Sequence, residues 1–336
     1  MISQRIFFSR ARYVTARRMA KKVLKLGVVW SLTSHFPTFA CFLNNLTEDC
    51  KKFLFRYTET PKQFEDARIE YVWSEDREGV EKIAKSHGIT IIDDISEMIG
   101  KIDGALILTR YPYKNLEYAR PFIEAGIPTF IDKPFAPNVD VAYEIVRLSR
   151  KRKTPIMSTS ALRYAIELEP LKSFVKERGE LWGGSIIAPG DFRVENTLYG
   201  IHVIEILLTL FGRGIERVWG TEFKVGEKLH VLVNVVYKDG KAFNLHLGSP
   251  YYKWQVTLIS KGTSISTTVE NAYEYYRGTI NNVLKMMKER IEPINLIDTL
   301  EVVRTCYAVQ KSIEEEVEVV LDRDFPLPPD LKVATE

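Results

Sequence analysis

The sequence predicts an α/β protein with a doubly wound parallel sheet in its N-terminal half. Short apolar segments alternate there with segments of helical periodicity, which is the pattern of parallel strands covered by helices. Further along, two strand-like runs at 229–237 and 241–249 flank Lys238-Asp239-Gly240 and indicate an antiparallel hairpin with an Asp-Gly turn. A chain of 336 residues has room for two domains, one around each kind of sheet.

The elements of the N-terminal half follow one another as strand and helix in regular alternation. In chain order we predict strand 23–30, helix 36–46, strand 68–74, helix 77–88, an extended segment at 89–93, a helix-to-strand step ending in strand 104–109, helix 113–126 and strand 127–134. Pro37 lies in a first helical turn, where its missing N–H costs nothing, and Gly88 is a helix stop signal. In the C-terminal half, residues 253–260 alternate as one more strand.

Composition places the chain among globular proteins without a membrane span. The longest apolar run, Val203 to Phe211, is short and is interrupted by Glu205. The cysteines at positions 41, 50 and 306 are odd in number and lack metal-ligand spacing. We therefore expect buried or free thiols in a reducing compartment, which favours the cytoplasm. No group of His, Asp or Glu residues has metal-ligand spacing either, so no metal is predicted.

The net charge of +3 is concentrated in the first residues of the chain. Residues 1–18 carry five arginines, and the first acidic residue is Glu48. Without those arginines the net charge is −2, so no basic patch indicates nucleic-acid binding. We interpret residues 1–22 as a basic leader: a transit peptide, or an extension upstream of a true start at Met19 that is poorly ordered or a marginal helix.

The segment 125–146 is the most informative stretch of the sequence. A short apolar strand ends there in Asp132-Lys133-Pro134 and is followed by a helix. Open α/β sheets bind ligands at the carboxyl ends of their strands, which is where Lys133 is predicted to lie. Pro134 fixes the local backbone and biases Lys133 toward an extended conformation. Lys133 is therefore a candidate active-site cation, the alternative being a solvated lysine at a strand end.

A dinucleotide would bind at the first strand-turn-helix and at the ends of the next strands. The turn contains no glycine, although the usual fingerprint supplies three, and Gly27 lies inside the strand. The helix N-terminus and the hydroxyl groups could still hold a phosphate, although Trp30 would crowd the approach. The candidate cofactor-binding residues are Ser31, Leu32, Thr33, Ser34, His35, Ser74, Glu75, Thr109, Arg110, Asp132 and Lys133. A sheet that no longer binds dinucleotide remains an alternative, and His35 could instead only stabilise the turn.

The acid that usually grips the ribose hydroxyls follows the second strand, where this chain has Ser74 and Glu75. Ser74 occupies the usual acid position, and Arg77 is nearby. A serine with an arginine beside it would tolerate a 2′-phosphate, so the choice between NAD and NADP stays open.

Several motifs in the same order resemble the Gfo/Idh/MocA oxidoreductases, the glucose–fructose oxidoreductase and inositol dehydrogenase family. They are the helix ending EKIAKSHGI, the AG–strand–DKP block, SALRY at 160–164, YGIHVIEILLTLFG at 199–212 and the tail at 293–312. The resemblance covers about residues 24 to 325. It implies a Rossmann-like dinucleotide-binding domain at 23–150 and a substrate and oligomerisation domain at 151–330 with a large, mainly antiparallel open sheet. It also implies an NAD- or NADP-dependent enzyme acting on a sugar, cyclitol or related polyol, and a homo-oligomer.

The resemblance also suggests catalytic roles. His202 would be the base that takes the hydroxyl proton, and Lys133 the cation that orients the hydroxyl. Arg163 would contact the substrate, or else form a domain-bridging salt bridge. Two departures weaken this picture: Leu198 stands where the family commonly has an aspartate, and Asn115 where many members have a histidine. A non-catalytic relative that binds a small ligand or acts as an interaction subunit is therefore the alternative.

Overall fold

The computed structural model describes residues 23–31, 33–193, 198–248 and 253–332. The predicted leader at 1–22 and Leu32 lie outside the described residues. At Ser31 the backbone is described as the end of a strand, without its side chain.

The N-terminal half is a six-stranded sheet in the order β3-β2-β1-β4-β5-β6, with every pair parallel. Its strands are β1 (Leu24–Ser31), β2 (Ala67–Ser74), β3 (Thr90–Ile91), β4 (Gly104–Thr109), β5 (Thr129–Ile131) and β6 (Ile156–Met157). Strand order reverses between β1 and β4, and such a switch point is where a doubly wound sheet opens a ligand crevice. The predicted doubly wound sheet is confirmed.

Helices join these strands, and their ends follow the sequence signals. They are α1 (His35–Leu43), α2 (Glu48–Leu54), α3 (Arg77–His87), α4 (Asn115–Glu124) and α5 (Val139–Arg152). Asp76 caps α3 by accepting from the Gly79 N–H at 2.9 Å, and Gly88 ends α3 with φ of 66°. The segment after β3 is only a 3₁₀ turn, Ile95–Met98, where we predicted a helix. An Asp94–Glu97 capping box fixes the start of this turn, and Gly100 follows it with φ of 80°.

The C-terminal half contains a seven-stranded sheet in the order β12-β11-β7-β10-β9-β8-β13. Its strands are β7 (Leu181–Ala188), β8 (Ile215–Val225), β9 (Lys228–Tyr237), β10 (Ala242–Leu247), β11 (Trp254–Ser260), β12 (Thr263–Val269) and β13 (Val319–Val320). All neighbours are antiparallel except β7 and β10. Strands β9 and β10 form the predicted hairpin, with Gly240 at φ of 87° in the turn.

Helices of the second half cover both sheets. They are α6 (Glu169–Glu177), α7 (Ile201–Phe211), α8 (Ala272–Glu289) and α9 (Leu296–Glu315), followed by the short α10 (Leu321–Asp324) and α11 (Pro329–Lys332). Apolar residues of α8 pack into the core on one side of the first sheet, and residues of α9 pack into the core on its other side. The C-terminal helices therefore hold the first sheet against the second half. Among the described helices, none is long and apolar enough to cross a membrane.

The expectation of three unpaired cysteines is wrong for two of them. Cys41 in α1 and Cys50 in α2 form a disulfide, and only Cys306, which is buried in α9, is free. The sequence shows these two cysteines nine residues apart, but not that the helices carrying them meet. The cysteines of this chain therefore do not indicate a reducing compartment.

Candidate functional site

A cleft opens at the carboxyl ends of β1, β4 and β5, where the strand order reverses. Its cavity has a volume of about 320 Å³. The lining residues come from three strand ends and from the turn before α7: Thr33, Ser34, His35, Arg110, Asp132, Lys133 and Tyr199. Six of these seven are residues that the sequence singles out for cofactor binding or catalysis.

Lys133 is held at the edge of β5 with its side chain facing the cleft. It is only 9% exposed, and burial lowers the pKa of its ammonium, with the nearby Arg110 charge acting in the same direction and Asp132 opposing them. Nζ lies 5.2 Å from the centre of the Tyr199 ring and makes no hydrogen bond to a described residue. The Asp132 carboxylate accepts the backbone N–H of Lys133 at 2.8 Å and so fixes this turn. A buried amine without a fixed acceptor is available to a ligand hydroxyl.

His35 and Asp132 form a pair on the wall of the cleft. The Nδ1 of His35 lies 2.5 Å from Oδ2 of Asp132, and the side chain of Asp132 is 4% exposed. Tyr276 packs edge-on against the imidazole, with ring centres 5.5 Å apart. His35 thus connects the first turn to the Asp-Lys-Pro segment, in the place where the dinucleotide fingerprint has glycines.

The N-terminus of α1 faces the same cleft. Ser34 makes no side-chain cap hydrogen bond, and the Thr33 hydroxyl accepts the His35 N–H at 3.2 Å. Trp30 does not crowd this turn, because its ring is buried against Phe36 and its indole N–H donates to the Thr33 carbonyl. The His35 N–H is thus already bonded and Pro37 has no N–H, so this first turn offers few free backbone donors. A phosphate bound here would rely mainly on the Thr33 and Ser34 hydroxyls.

His202 lies behind Tyr199, deeper than the cleft wall. Its ring packs edge-on against Tyr199 at 5.0 Å and against Trp254 at 5.7 Å. Burial, together with the Lys133 and His35 charges, holds the pKa of His202 well below its usual range. His202 is therefore a neutral imidazole at neutral pH, the form that can accept a proton. Tyr199, whose pKa is raised by burial, contacts both the Lys133 ammonium and the His202 imidazole.

The orientation of His202 is set by Ser160. The Ser160 hydroxyl lies 2.6 Å from Nδ1 of His202 and also accepts the Leu162 N–H at 3.1 Å. Leu198, which stands where the family commonly has an aspartate, is buried and only 2% exposed. Ser160 thus orients the His202 imidazole, for which the sequence offered no aspartate partner at position 198.

Arg163 is not in the cleft. Its Nε donates to the buried Glu205 carboxylate at 2.8 Å, and the other carboxylate oxygen accepts the Ser160 N–H at 3.2 Å. The arginine lines a separate cavity of about 330 Å³ together with Tyr164 and Asn282. The structure thus connects Arg163 to His202 through Glu205 and Ser160, and does not bring it to Lys133.

Asn115 braces the Asp-Lys-Pro segment from behind. It is 1% exposed, and its amide donates to the carbonyls of Pro134 and Phe135 at 2.9 and 3.3 Å. The Thr109 hydroxyl donates to the Asn115 side-chain oxygen. Asn115 therefore connects the end of β4 to the segment after β5 through hydrogen bonds. Asn115 and Thr109 act as supports, and neither lines the cleft.

At the end of β2, Ser74 and Glu75 lie outside the lining of the cleft. Ser74 accepts the Asp76 N–H at 3.0 Å, and Glu75 pairs with Lys114 and accepts the Tyr118 hydroxyl at 2.8 Å. The Lys114 contact lowers the pKa of Glu75, and burial raises the pKa of Tyr118 to about 12. The Arg77 guanidinium forms an ion pair with the Asp93 carboxylate at 2.8 Å and does not pair with Ser74 or Glu75.

Two residues of the site, Tyr199 and Ser160, were not predicted from the sequence. Tyr199 stands three residues before His202, a spacing that places both side chains on one side of a helical turn. Ser160 opens the SALRY segment, but only the fold brings it to a histidine 42 residues away. Together with Lys133 and His202 they form a buried amine, an aromatic wall and an oriented imidazole.

A family model matches residues 51–160 of the chain, and its description is an oxidoreductase family with an NAD-binding Rossmann fold, GFO_IDH_MocA. The match begins after the glycine-free first turn and extends through the Asp-Lys-Pro segment to Ser160. No curated protein sequence matches the chain significantly.

Solved structures share the fold across both halves of the chain. One from Sinorhizobium meliloti, assigned as a myo-inositol dehydrogenase, has a TM-score of 0.73 at 13% identity and covers 89% of this chain and 100% of its own. The scyllo-inositol dehydrogenase of Lactobacillus casei with bound NAD(H) and scyllo-inositol has a TM-score of 0.69 at 13% identity, covering 89% and 99%. An Agrobacterium radiobacter oxidoreductase in complex with NAD⁺, L-tartaric acid and magnesium has a TM-score of 0.70 at 13% identity, with the same coverage. At these identities the likeness establishes the fold.

Proposed function

From a chain that matches the Gfo/Idh/MocA oxidoreductases in sequence and in fold, we propose an NAD- or NADP-dependent enzyme. Its substrate is a sugar, cyclitol or related polyol, and the reaction interconverts a secondary alcohol and a ketone. The observation that carries the proposal is Lys133, a buried amine at the switch point whose Nζ makes no hydrogen bond to a described residue. Such an amine is costly for folding and is suited to bind a reacting hydroxyl.

The first turn and the strand ends would hold the cofactor. The hydroxyls of Thr33 and Ser34 and the Phe36 N–H at the start of α1 would bind the pyrophosphate, and Arg110 would add a positive charge beside it. When bound, the nicotinamide supplies the site that accepts or donates hydride. Substrate binding and oligomerisation would belong to residues 151–330.

The chain's own residues handle the proton and the developing negative charge. Lys133 would donate a hydrogen bond to the substrate oxygen and stabilise it as it becomes alkoxide-like. His202 would accept the hydroxyl proton, since its low pKa keeps the imidazole neutral beforehand. This role requires the tautomer in which Nδ1–H donates to the Ser160 oxygen, because Nε2 then carries the lone pair that accepts the proton.

The His35–Asp132 pair would position Lys133. Asp132 binds both the His35 imidazole and the Lys133 backbone N–H, so movement of the first turn is transmitted to the lysine. Binding of a cofactor at the start of α1 would then fix Lys133 in place for the reaction.

We infer a cytoplasmic location because nicotinamide cofactors are available inside the cell. We also infer a homo-oligomer formed through the open face of the second sheet. Trp219, Leu232 and Ile259 lie on β8, β9 and β11 with exposures of 46%, 39% and 42%. Exposed apolar side chains on a broad sheet are suited to packing against a second copy.

Cofactor titration tests the proposal. Purified protein is titrated with NADH and NADPH while energy transfer from tryptophan to the reduced nicotinamide is followed. We expect saturable binding of at least one of them, and turnover of a polyol that is lost in Lys133→Met and in His202→Ala. Absence of binding of either cofactor at millimolar concentration contradicts the proposal.

Two observations favour a second function. The glycine-free turn lies outside the region matched by the family model, and Arg163 is engaged by Glu205. A non-catalytic relative that binds a polyol without turnover would have these features. Binding of a polyol by calorimetry that is unaffected by either cofactor, with no turnover, would support this alternative.

A further inference from the structure

Three side chains with metal-binding chemistry converge on one point outside the Lys133 cleft. Cys41 comes from α1, Cys50 from the first turn of α2, and His87 is the last residue of α3. Thr47 caps α2 by accepting the Cys50 N–H at 3.2 Å, and its hydroxyl lies 3.1 Å from the Cys50 sulfur. The cluster is therefore built into the packing of three helices.

The geometry suits a tetrahedral metal. One sulfur from each cysteine and one imidazole nitrogen all lie within 4.8 Å of one another, and all three residues are buried. A zinc ion with Zn–S of about 2.3 Å and Zn–N of about 2.0 Å needs such ligands about 3.5–3.8 Å apart. Separation of the two sulfurs and small side-chain rotations bring the three atoms to that spacing.

His87 points independently to a ligand. It is 5% exposed, its Nδ1 has no hydrogen-bond partner in the described part of the chain, and Nε2 lies 4.0 Å from the Cys50 sulfur. The Asn45 backbone carbonyl is placed to accept a hydrogen bond from the ring, and it lies 3.8 Å from the same sulfur. Nε2 is thus the nitrogen placed to bind a metal together with the two sulfurs, and in that state Nδ1 would carry the ring proton.

A pocket gives access to this cluster. It has a volume of about 380 Å³, and Cys41, Cys50 and His87 line it together with Glu48 and Asp49. An ion could enter through the pocket past the two carboxylates, and a fourth ligand, water or one of them, could complete the coordination from the same side.

We propose that, once the Cys41–Cys50 disulfide is reduced, Cys41, Cys50 and His87 bind one Zn²⁺ or a similarly thiophilic divalent cation. Reduction breaks the S–S bond with two electrons and two protons from a dithiol, which itself becomes a disulfide. Metal binding then displaces the two thiol protons and leaves two thiolate ligands. The disulfide and the metal-bound dithiolate are alternative states of one site.

Zinc titration of the full chain tests the proposal. The protein is reduced with dithiothreitol, freed of reductant under nitrogen and titrated with Zn²⁺ against a chromophoric chelator. We expect one tightly bound Zn²⁺ per chain in the reduced protein and none in the oxidised protein or in Cys50→Ser. Cys306→Ser, which removes a buried cysteine in α9, should bind as the wild type does. His87→Gln removes a metal ligand itself. Its Zn²⁺ affinity should therefore fall by more than the ~10–100-fold that is lost when a group hydrogen-bonded to a ligand is removed.

Two measurements on the wild-type chain test the proposal even if the variants fail to fold. Zn²⁺ should protect Cys41 and Cys50 of the reduced protein from alkylation, as read by peptide mass spectrometry. Co²⁺ should give a thiolate-to-metal charge-transfer band. A reduced wild type that shows no protection and no such band overturns the proposal, as does a Cys50→Ser variant that binds Zn²⁺ as tightly as the wild type.

Discussion

Replacement of Glu205 by glutamine separates a supporting role of Arg163 from a substrate-binding role. The side chains of Glu205 and Arg163 are 3% and 13% exposed, and Glu205 also accepts the Ser160 N–H. Glu205→Gln leaves a guanidinium in a buried site without its carboxylate. Loss of one partner of a buried ion pair costs about 3–5 kcal/mol. At ~2 °C per kcal/mol for a chain of this size, the Tm should fall by roughly 6–10 °C.

A double-mutant cycle gives the coupling between the two side chains. We expect Arg163→Met and Glu205→Gln each to destabilise the protein strongly, and their combination to lose about 2–3 kcal/mol less than the sum. Urea denaturation followed by circular dichroism measures each free energy of unfolding. Glu169→Gln, which breaks an exposed pair with Lys172, is the matched control and should cost less than ~1 kcal/mol.

Two results would refute this reasoning. One is strict additivity of the two losses, because it would show that the pair does not interact. The other is an Arg163→Met variant of wild-type stability with a raised KM for its substrate, because it would show that Arg163 binds substrate.

Three further predictions follow from the same geometry. Because burial and the Lys133 charge lower the pKa of His202, the unfolded chain takes up this proton below about pH 6.5 while the folded chain does not, so stability is lost as pH falls. Between pH 6.5 and 5, the free energy of unfolding of His202→Gln should therefore fall by up to ~1.4 kcal/mol less per pH unit than that of the wild type. Parallel profiles of unfolding free energy against pH for the two proteins would contradict this. Asn115→Leu should cost roughly 2–3 kcal/mol in urea denaturation because the Pro134 carbonyl loses its donor, and wild-type stability would show that the brace is dispensable. Leu232→Glu should convert the oligomer to monomers in light scattering after size exclusion, and an unchanged mass would place the interface elsewhere.

The sequence predicted five of the six strands of the first sheet, all but β6, and many of the residues that line the cleft. Local signals such as the strand before Asp132-Lys133-Pro134 and the Gly88 stop are read from neighbouring residues, and the structure confirms both. Lys133 and His35 line the cleft because strand ends of a parallel sheet meet at one edge, which topology alone dictates.

Contacts between distant segments were beyond the sequence. Ser160 could not be assigned to His202 because their meeting depends on how α7 packs beside the segment that follows β6. Cys41 and Cys50 gave no sign of pairing because their spacing matches no recurrent pattern. Arg163 carries the right chemistry for a substrate, but a buried carboxylate 42 residues away engages it.

The central claim of this account is that Lys133 acts on the reacting oxygen. The most direct test is the kcat of Lys133→Met, which keeps most of the side-chain volume and removes the charge. We predict a fall in kcat of roughly 10² or more, with cofactor binding close to the wild type and a Tm equal to or above it, and no rescue by Lys133→Arg because the planar guanidinium differs in reach and shape. A Lys133→Met variant that keeps near wild-type kcat would show that the lysine is structural and would contradict the proposed mechanism.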